Sequence, residues 1–340
     1  MVTTSNPEMS GNQVPSTPVV AVEDLHVDYP TFGDSFLALR GIDLSIDPGE
    51  IVGLVGESGA GKTTLARAIM RLVAVPGRIS KGRVSFAGHD LATLSDEGMR
   101  SLRGHHLAMV VPNPRSELNP LLTIGRQIGN VAMTHLGIGR SAAQDLALDM
   151  LRAVRIPDPD RRLKAYPHEM SGGMAQRVVI AIALVCKPRF IISDDATSGL
   201  DVTVQAQVLE LLKSLVQERQ SSMLFITRDV GIAAHHCHRV AVIYRGQLME
   251  VADREAFFFN PMHPYSVMLL AAFSYNPRLR RQWASRTVAG KAAATASAGR
   301  GGCSYADRCA LSRERCFAET PLLREITPGH WARCHFPVIR

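Results

Sequence analysis

Gly56-Glu-Ser-Gly-Ala-Gly-Lys62-Thr63 is the stretch on which the fold of this chain turns. Gly56, Gly59 and Gly61 let backbone N–H groups close around a phosphate, Lys62 reaches its outer oxygens, and the Thr63 hydroxyl is placed for Mg²⁺, with Ser58 and Thr64 beside them. The apolar run Glu50-Ile-Val-Gly-Leu-Val55 reads as a strand entering the loop and Lys62–Leu72 as a helix leaving it. That strand–loop–helix context separates a phosphate loop from an ordinary glycine turn.

Two later segments narrow the class. Ser171-Gly-Gly-Met174 opens a helical pattern, and unpaired N–H groups and the helix dipole at such an N-terminus favour a phosphate. Ile191-Ile-Ser-Asp194-Asp195 is an apolar strand ending in two carboxylates, the first suited to the Mg²⁺ water shell. With the words Tyr166-Pro-His-Glu-Met-Ser-Gly-Gly-Met-Ala-Gln-Arg177, the chain resembles the ATP-binding subunits of ABC transporters, in the dipeptide, oligopeptide and nickel importer branch, over roughly residues 18–340. The resemblance implies an α/β fold, an ABC-type P-loop ATPase core with an antiparallel β subdomain, an inserted helical subdomain and a small Cys-rich C-terminal extension. It implies ATP and Mg²⁺ at Gly56–Thr64 and Asp194. It also implies that Ser171, Gly172 and Gly173 face a nucleotide held by a partner ATPase chain, and it makes Tyr29, with Phe32 and Phe36 nearby, the candidate to stack on adenine.

Several positions depart from the family pattern, and they concern water rather than nucleotide. Asp195 stands where the family carries the glutamate that polarises the attacking water, and one methylene less withdraws the carboxylate by about 1.5 Å. Arg228, in Phe225-Ile-Thr-Arg228-Asp229, replaces a histidine that contacts the γ-phosphate; guanidinium neutralises charge but accepts no hydrogen bond. Pro112 replaces a glutamine that touches Mg²⁺ and water, with Asn113 next to it as a substitute only if the loop slips by one residue. Lys62, Thr63 and Asp194 remain. The expected consequence is a site that binds nucleotide and hydrolyses it poorly.

After the core, Asn260-Pro-Met-His-Pro-Tyr-Ser266 resembles the segment that marks the peptide-importer branch. Beyond it Cys303, Cys309, Cys316 and Cys334 follow C-x5-C-x6-C-x17-C, which reads as a metal site before it reads as disulfides. Four thiolates suit a [4Fe–4S] cluster or Zn²⁺. The family's tail holds a [4Fe–4S] cluster, and wider spacing than a zinc ribbon favours iron–sulfur. His330 and His335 are then nearby polar or alternate ligands, and Cys186 and Cys237 core thiols.

Composition bounds the rest. With 340 residues, 46% apolar, the chain can bury a full core. Its longest apolar run, Val178–Cys186, is nine residues, far short of the roughly eighteen of a membrane helix. The net charge of +7 lies largely in Arg278, Arg280, Arg281, Arg286, Lys291 and Arg300, inside an Ala/Gly/Ser-rich linker without interleaved aromatics, so no nucleic-acid partner is expected. Alternating strands and helices imply a parallel sheet with helices on both faces. The expected layout is a disordered tail at 1–17, the ATPase domain at 18–260 with a helical subdomain at about 98–172, a segment and linker at 261–302, and the cysteine tail at 303–340. The expected partners are a paralogous ATPase subunit, two membrane permeases and, indirectly, an extracellular binding protein, with the chain peripheral at the cytoplasmic face of the membrane. The alternatives are a soluble ABC ATPase acting on ribosomes or DNA and a purely regulatory nucleotide-binding subunit.

Overall fold

A computed structural model describes residues 17–31, 34–273 and 301–339. The expected N-terminal tail lies almost wholly outside the described residues, and so do the linker and its basic residues. Twelve strands form two sheets among the described residues. They are β1 (Val20–Thr31), β2 (Asp34–Ile46), β3 (Ile51–Val55), β4 (Arg78–Phe86), β5 (His89–Asp90), β6 (Leu107–Val110), β7 (Phe190–Asp194), β8 (Ser222–Thr227), β9 (Arg239–Tyr244), β10 (Gln247–Asp253), β11 (Arg324–Thr327) and β12 (His330–Ala332).

The larger sheet runs β11-β12-β10-β9-β3-β8-β7-β6. Strand β3 is buried at every position and pairs in parallel with β8 on one side and β9 on the other, which is why Ile51–Val55 reads as an unbroken apolar run. Parallel pairing continues through β7 to β6 at the edge. On the other flank β9, β10, β12 and β11 are antiparallel, so the sheet is mixed and corrects the expectation of a parallel one. The smaller sheet, β2-β1-β4-β5, is antiparallel, as the alternation of residues 19–46 requires.

Two apolar cores meet the two faces of the large sheet. One lies under the antiparallel sheet and includes Leu39, Leu54, Leu65, Ile69 and Ile226. The other gathers Ile51, Val55 and Phe225 with residues of the helices Ile124–Leu136, Arg140–Ala153 and Gly172–Leu184. These helices are bounded by local chemistry: the Thr123 hydroxyl accepts from the Arg126 N–H, and Gly137 closes that helix at φ 64°. Strand β6 falls within the span expected for the helical insertion, yet it is the edge of the main sheet. No helix among the described residues is long and apolar enough to cross a membrane.

The C-terminal extension is built into the core sheet. β12 lies along the edge of β10, pairing Ala332 with Glu250 and Trp331 with Val251, and so covers an edge that would otherwise present unpaired backbone groups. A buried carboxylate fastens it there: Glu250 accepts from the Met262 and His263 N–H groups at 2.8 Å each, and His330 Nε2 lies 2.6 Å from its Oε1. His330 therefore serves the clasp rather than the cysteines. His263, in the same clasp, accepts from the Tyr265 N–H through Nδ1, and burial pushes its pKa down to about 4.

Two measurements test the clasp. Glu250→Ala strands three donors in the interior and should lower stability by about 3 kcal/mol in urea denaturation. An unfolded histidine binds its proton below about pH 6.5, whereas folded His263 stays neutral down to about pH 4, so the unfolded state binds more protons in that window. Stability should therefore fall as pH drops from about 6.5 towards 4. His263→Asn, which keeps an acceptor and does not titrate, should flatten that slope by about one proton.

Candidate functional site

The phosphate loop leaves β3 at the carboxyl end of the sheet, where its two parallel neighbours also end. Gly61 sits at φ 108°, a conformation that a side chain resists, and passes directly into the helix Lys62–Ile69. Lys62 is largely buried, and its Nζ donates to the carbonyls of Gly56 at 2.7 Å and Glu57 at 2.8 Å. Burial lowers the Lys62 pKa, and Asp195 and Asp194 oppose that shift. The loop thus holds its cation folded back over itself.

Strand β7 delivers Asp194, one strand removed from β3 because β8 lies between them. The Asp194 carboxyl is raised by burial and lowered in part by a hydrogen bond with the Thr63 side chain. A hydroxyl and a carboxylate brought together are the hard oxygen donors that Mg²⁺ takes. Asp195 follows at φ 46°, with its N–H donating to the Ile226 carbonyl at 3.0 Å. That turn aims its carboxylate at the end of β8, where Arg228 Nη2 lies 3.1 Å from Asp195 Oδ2. Two of the three positions that the resemblance marked as departures are therefore partners of one another.

A cleft of about 530 Å³ is lined by Ser58, Gly59, Gly61, Lys62, Thr63 and Thr64 from the loop, by Asp194, Asp195 and Arg228, and by Phe36 and Ala38. Sequence reasoning chose Tyr29 as its aromatic wall. The structure instead packs the Tyr29 ring over Gly77, where a Cβ would fall 2.4 Å from it, and joins it to the core under the antiparallel sheet. Phe36, directly across from Tyr29 in the β1–β2 pairing, is 60% exposed and lines the cleft. Exposure of a strand aromatic was the missing signal, and the sequence does not carry it. Neither Pro112 nor Asn113 lines the cleft.

Ser171, Gly172 and Gly173 lie outside this cleft, at the start of helix Gly172–Leu184. Ser171 is exposed and its hydroxyl accepts from the Met174 N–H at 3.3 Å. Gly173 has a packing reason of its own, since a Cβ there would meet Val204 Cγ1 at 2.6 Å. Within one chain the two phosphate-binding elements do not line a common cavity.

The cysteine tail is where the structure overturns the sequence. Cys303, Cys309, Cys316 and Cys334 do line one cavity, together with His335, but its volume is about 10 Å³. That is the space of about one water molecule. All four thiols are free, and burial raises the pKa of three of them, Cys303, Cys309 to about 11 and Cys334 to about 12. No group of three or more His, Cys, Asp or Glu among the described residues is arranged to hold a metal ion. The [4Fe–4S] or Zn²⁺ assignment is withdrawn. His335 Nε2 pairs with the Glu319 carbonyl at 2.9 Å, and Cys186 and Cys237 are buried thiols, as expected.

Comparison with known proteins agrees with this geometry. Residues 39–198 match the ABC transporter family and residues 249–316 the oligopeptide/dipeptide transporter C-terminal region. The chain is 40% identical over 312 residues to the dipeptide transport ATP-binding protein DppD of Escherichia coli K12, spanning 90% of this chain and 94% of that one. It is 42% identical over 257 residues to the oligopeptide transport ATP-binding protein OppD of Bacillus subtilis 168, covering 75% of this chain and 72% of that one. Among solved structures, a dimeric ATP-binding cassette bound to ADP and Pi in a post-hydrolysis state aligns with a TM-score of 0.62 at 25% identity, over 69% of this chain and 98% of that one. The chain belongs to the ABC transporter ATP-binding proteins, in the group that carries the oligopeptide/dipeptide transporter C-terminal region.

Proposed function

We propose that this chain is a nucleotide-binding subunit of an ABC importer for dipeptides or oligopeptides, working beside a second ATPase chain, beneath two membrane permeases that an extracellular binding protein supplies. The observation that carries the reading is likeness to dipeptide transport ATP-binding proteins over 90% of this chain and 94% of that one. Peripheral attachment at the cytoplasmic face follows from that role.

The residues fit a Mg²⁺-nucleotide. Lys62 exchanges its two loop carbonyls for phosphate oxygens, and the loop N–H groups donate to the remaining phosphate oxygens. Thr63 and Asp194 would hold Mg²⁺, which would supply positive charge to neutralise the phosphates. Phe36 offers an exposed ring to a base.

Hydrolysis is less well served. A general base needs a carboxylate oxygen within hydrogen-bond reach of the attacking water. Here Asp195 is short, and its Oδ2 is engaged by Arg228. Pro112 adds no donor. The site in this chain holds nucleotide, and turnover falls to the partner's loop, completed by Ser171–Gly173 of this chain.

Lys62→Ala should weaken Mg-ATP binding by about tenfold or more in equilibrium titration, because it deletes the charge on the phosphates and leaves the loop. In the assembled transporter, Ser171→Arg should abolish most ATPase activity, whereas Asp195→Asn should alter it by less than about twofold. Loss of turnover in Asp195→Asn would make this chain a working hydrolase. Purification from detergent-solubilised membranes should bring down two permeases and a second ATPase, and their absence would count against the importer reading.

A further inference from the structure

Glu57 places a carboxylate inside the phosphate loop, beside a cleft suited to a polyanion. Arg308, 251 residues away in the C-terminal extension, meets it with a two-pronged fork: Nη1 donates to Oε2 at 2.8 Å and Nη2 to Oε1 at 2.9 Å. The guanidinium is held in turn. It donates to the Tyr244 hydroxyl at 3.3 Å and lies 5.7 Å from the Tyr244 ring centroid and 5.9 Å from that of Tyr305. Tyr244 ends β9, Tyr305 belongs to the extension, and Tyr265, from the helix Pro264–Phe273, packs against both at 4.7 and 5.2 Å. All three rings are buried. The Tyr265 hydroxyl also accepts the Glu57 main-chain N–H at 3.1 Å. Segments from after the core therefore grip Glu57 by backbone and side chain together.

The charge balance gives this grip a purpose. The Glu57 carbonyl already receives Lys62 Nζ, and the Glu57 carboxylate acts on the charge of Lys62. Left bare, that carboxylate would offset the one loop cation that meets a phosphate. We propose that Arg308 is a positioning residue for the nucleotide, cancelling the Glu57 charge and fixing the loop, so that the C-terminal extension is a working part of this chain's phosphate site. The proposal rests on the nucleotide-binding reading above. The ion pair is about half exposed, so its worth comes from the fork and the flanking rings rather than from burial.

The test is titration of the purified full-length chain with a fluorescent Mg-ATP analogue. Wild type against Lys62→Ala reports whether the cleft takes nucleotide at all. Arg308→Gln should weaken binding about tenfold, with the loss shrinking in high salt, and Glu57→Gln is titrated beside it as the reference for the double variant. The double variant Glu57→Gln/Arg308→Gln should return to within about threefold, because the charge that needed cancelling is gone. Where Arg308→Gln does not fold, Arg308→Met, which removes the charge and keeps an apolar stem against the tyrosine rings, takes its place in the same comparison. Unchanged affinity, or a loss that Glu57→Gln does not rescue, overturns the proposal. An unrescued loss with altered Trp331 emission assigns Arg308 to docking of the extension alone. Equal affinity in wild type and Lys62→Ala overturns the nucleotide reading and this proposal with it, whereas Lys62-dependent binding indifferent to Arg308 overturns only the latter.

Discussion

Hydrogen bonding of β3 on both sides, to β8 and to β9, is the constraint from which the site follows. A strand so enclosed cannot slip in register without exposing its apolar residues, so the point where it ends is fixed in space. Gly56–Thr63 begins there. The parallel strands β8 and β7 end at the same face, and Arg228, just beyond β8, and Asp194, the last residue of β7, arrive at the loop without long connections.

Around that fixed point the charged groups fall into two sets. Lys62 folds back on the loop carbonyls, and Thr63 and Asp194 are joined to each other. Asp195 and Arg228 instead engage one another at 3.1 Å. Each substitution taken singly looks like a loss, a shortened carboxylate or an absent imidazole. Together they form a charge pair between the residues that follow β7 and β8.

The C-terminal extension is less an appendix than its composition suggests. It lengthens the core sheet through β12 and β11, is clasped by the buried Glu250, and touches the phosphate loop through Arg308. Its four cysteines converge, as their spacing led one to expect, but on a space of about 10 Å³ walled by aromatic and aliphatic groups. Spacing along the chain measures which residues can meet. It says nothing of the volume left between them or of the neutral state that burial imposes on thiols.

Short-range rules made the phosphate loop, the strands and helices that flank it, the Ser171 cap and the Asp194-Asp195 strand end legible in the sequence alone, since glycine conformation, capping and apolar periodicity act over a few residues. Ser222–Thr227 was readable to its ends for that reason. Only tertiary structure decided that Phe36 rather than Tyr29 faces the cleft, that Arg228 pairs with Asp195, that the sheet turns antiparallel at β10, and that Arg308 reaches Glu57. Those contacts join segments distant in the chain, and strand order, which no local preference encodes, sets which of them come within a hydrogen bond of each other.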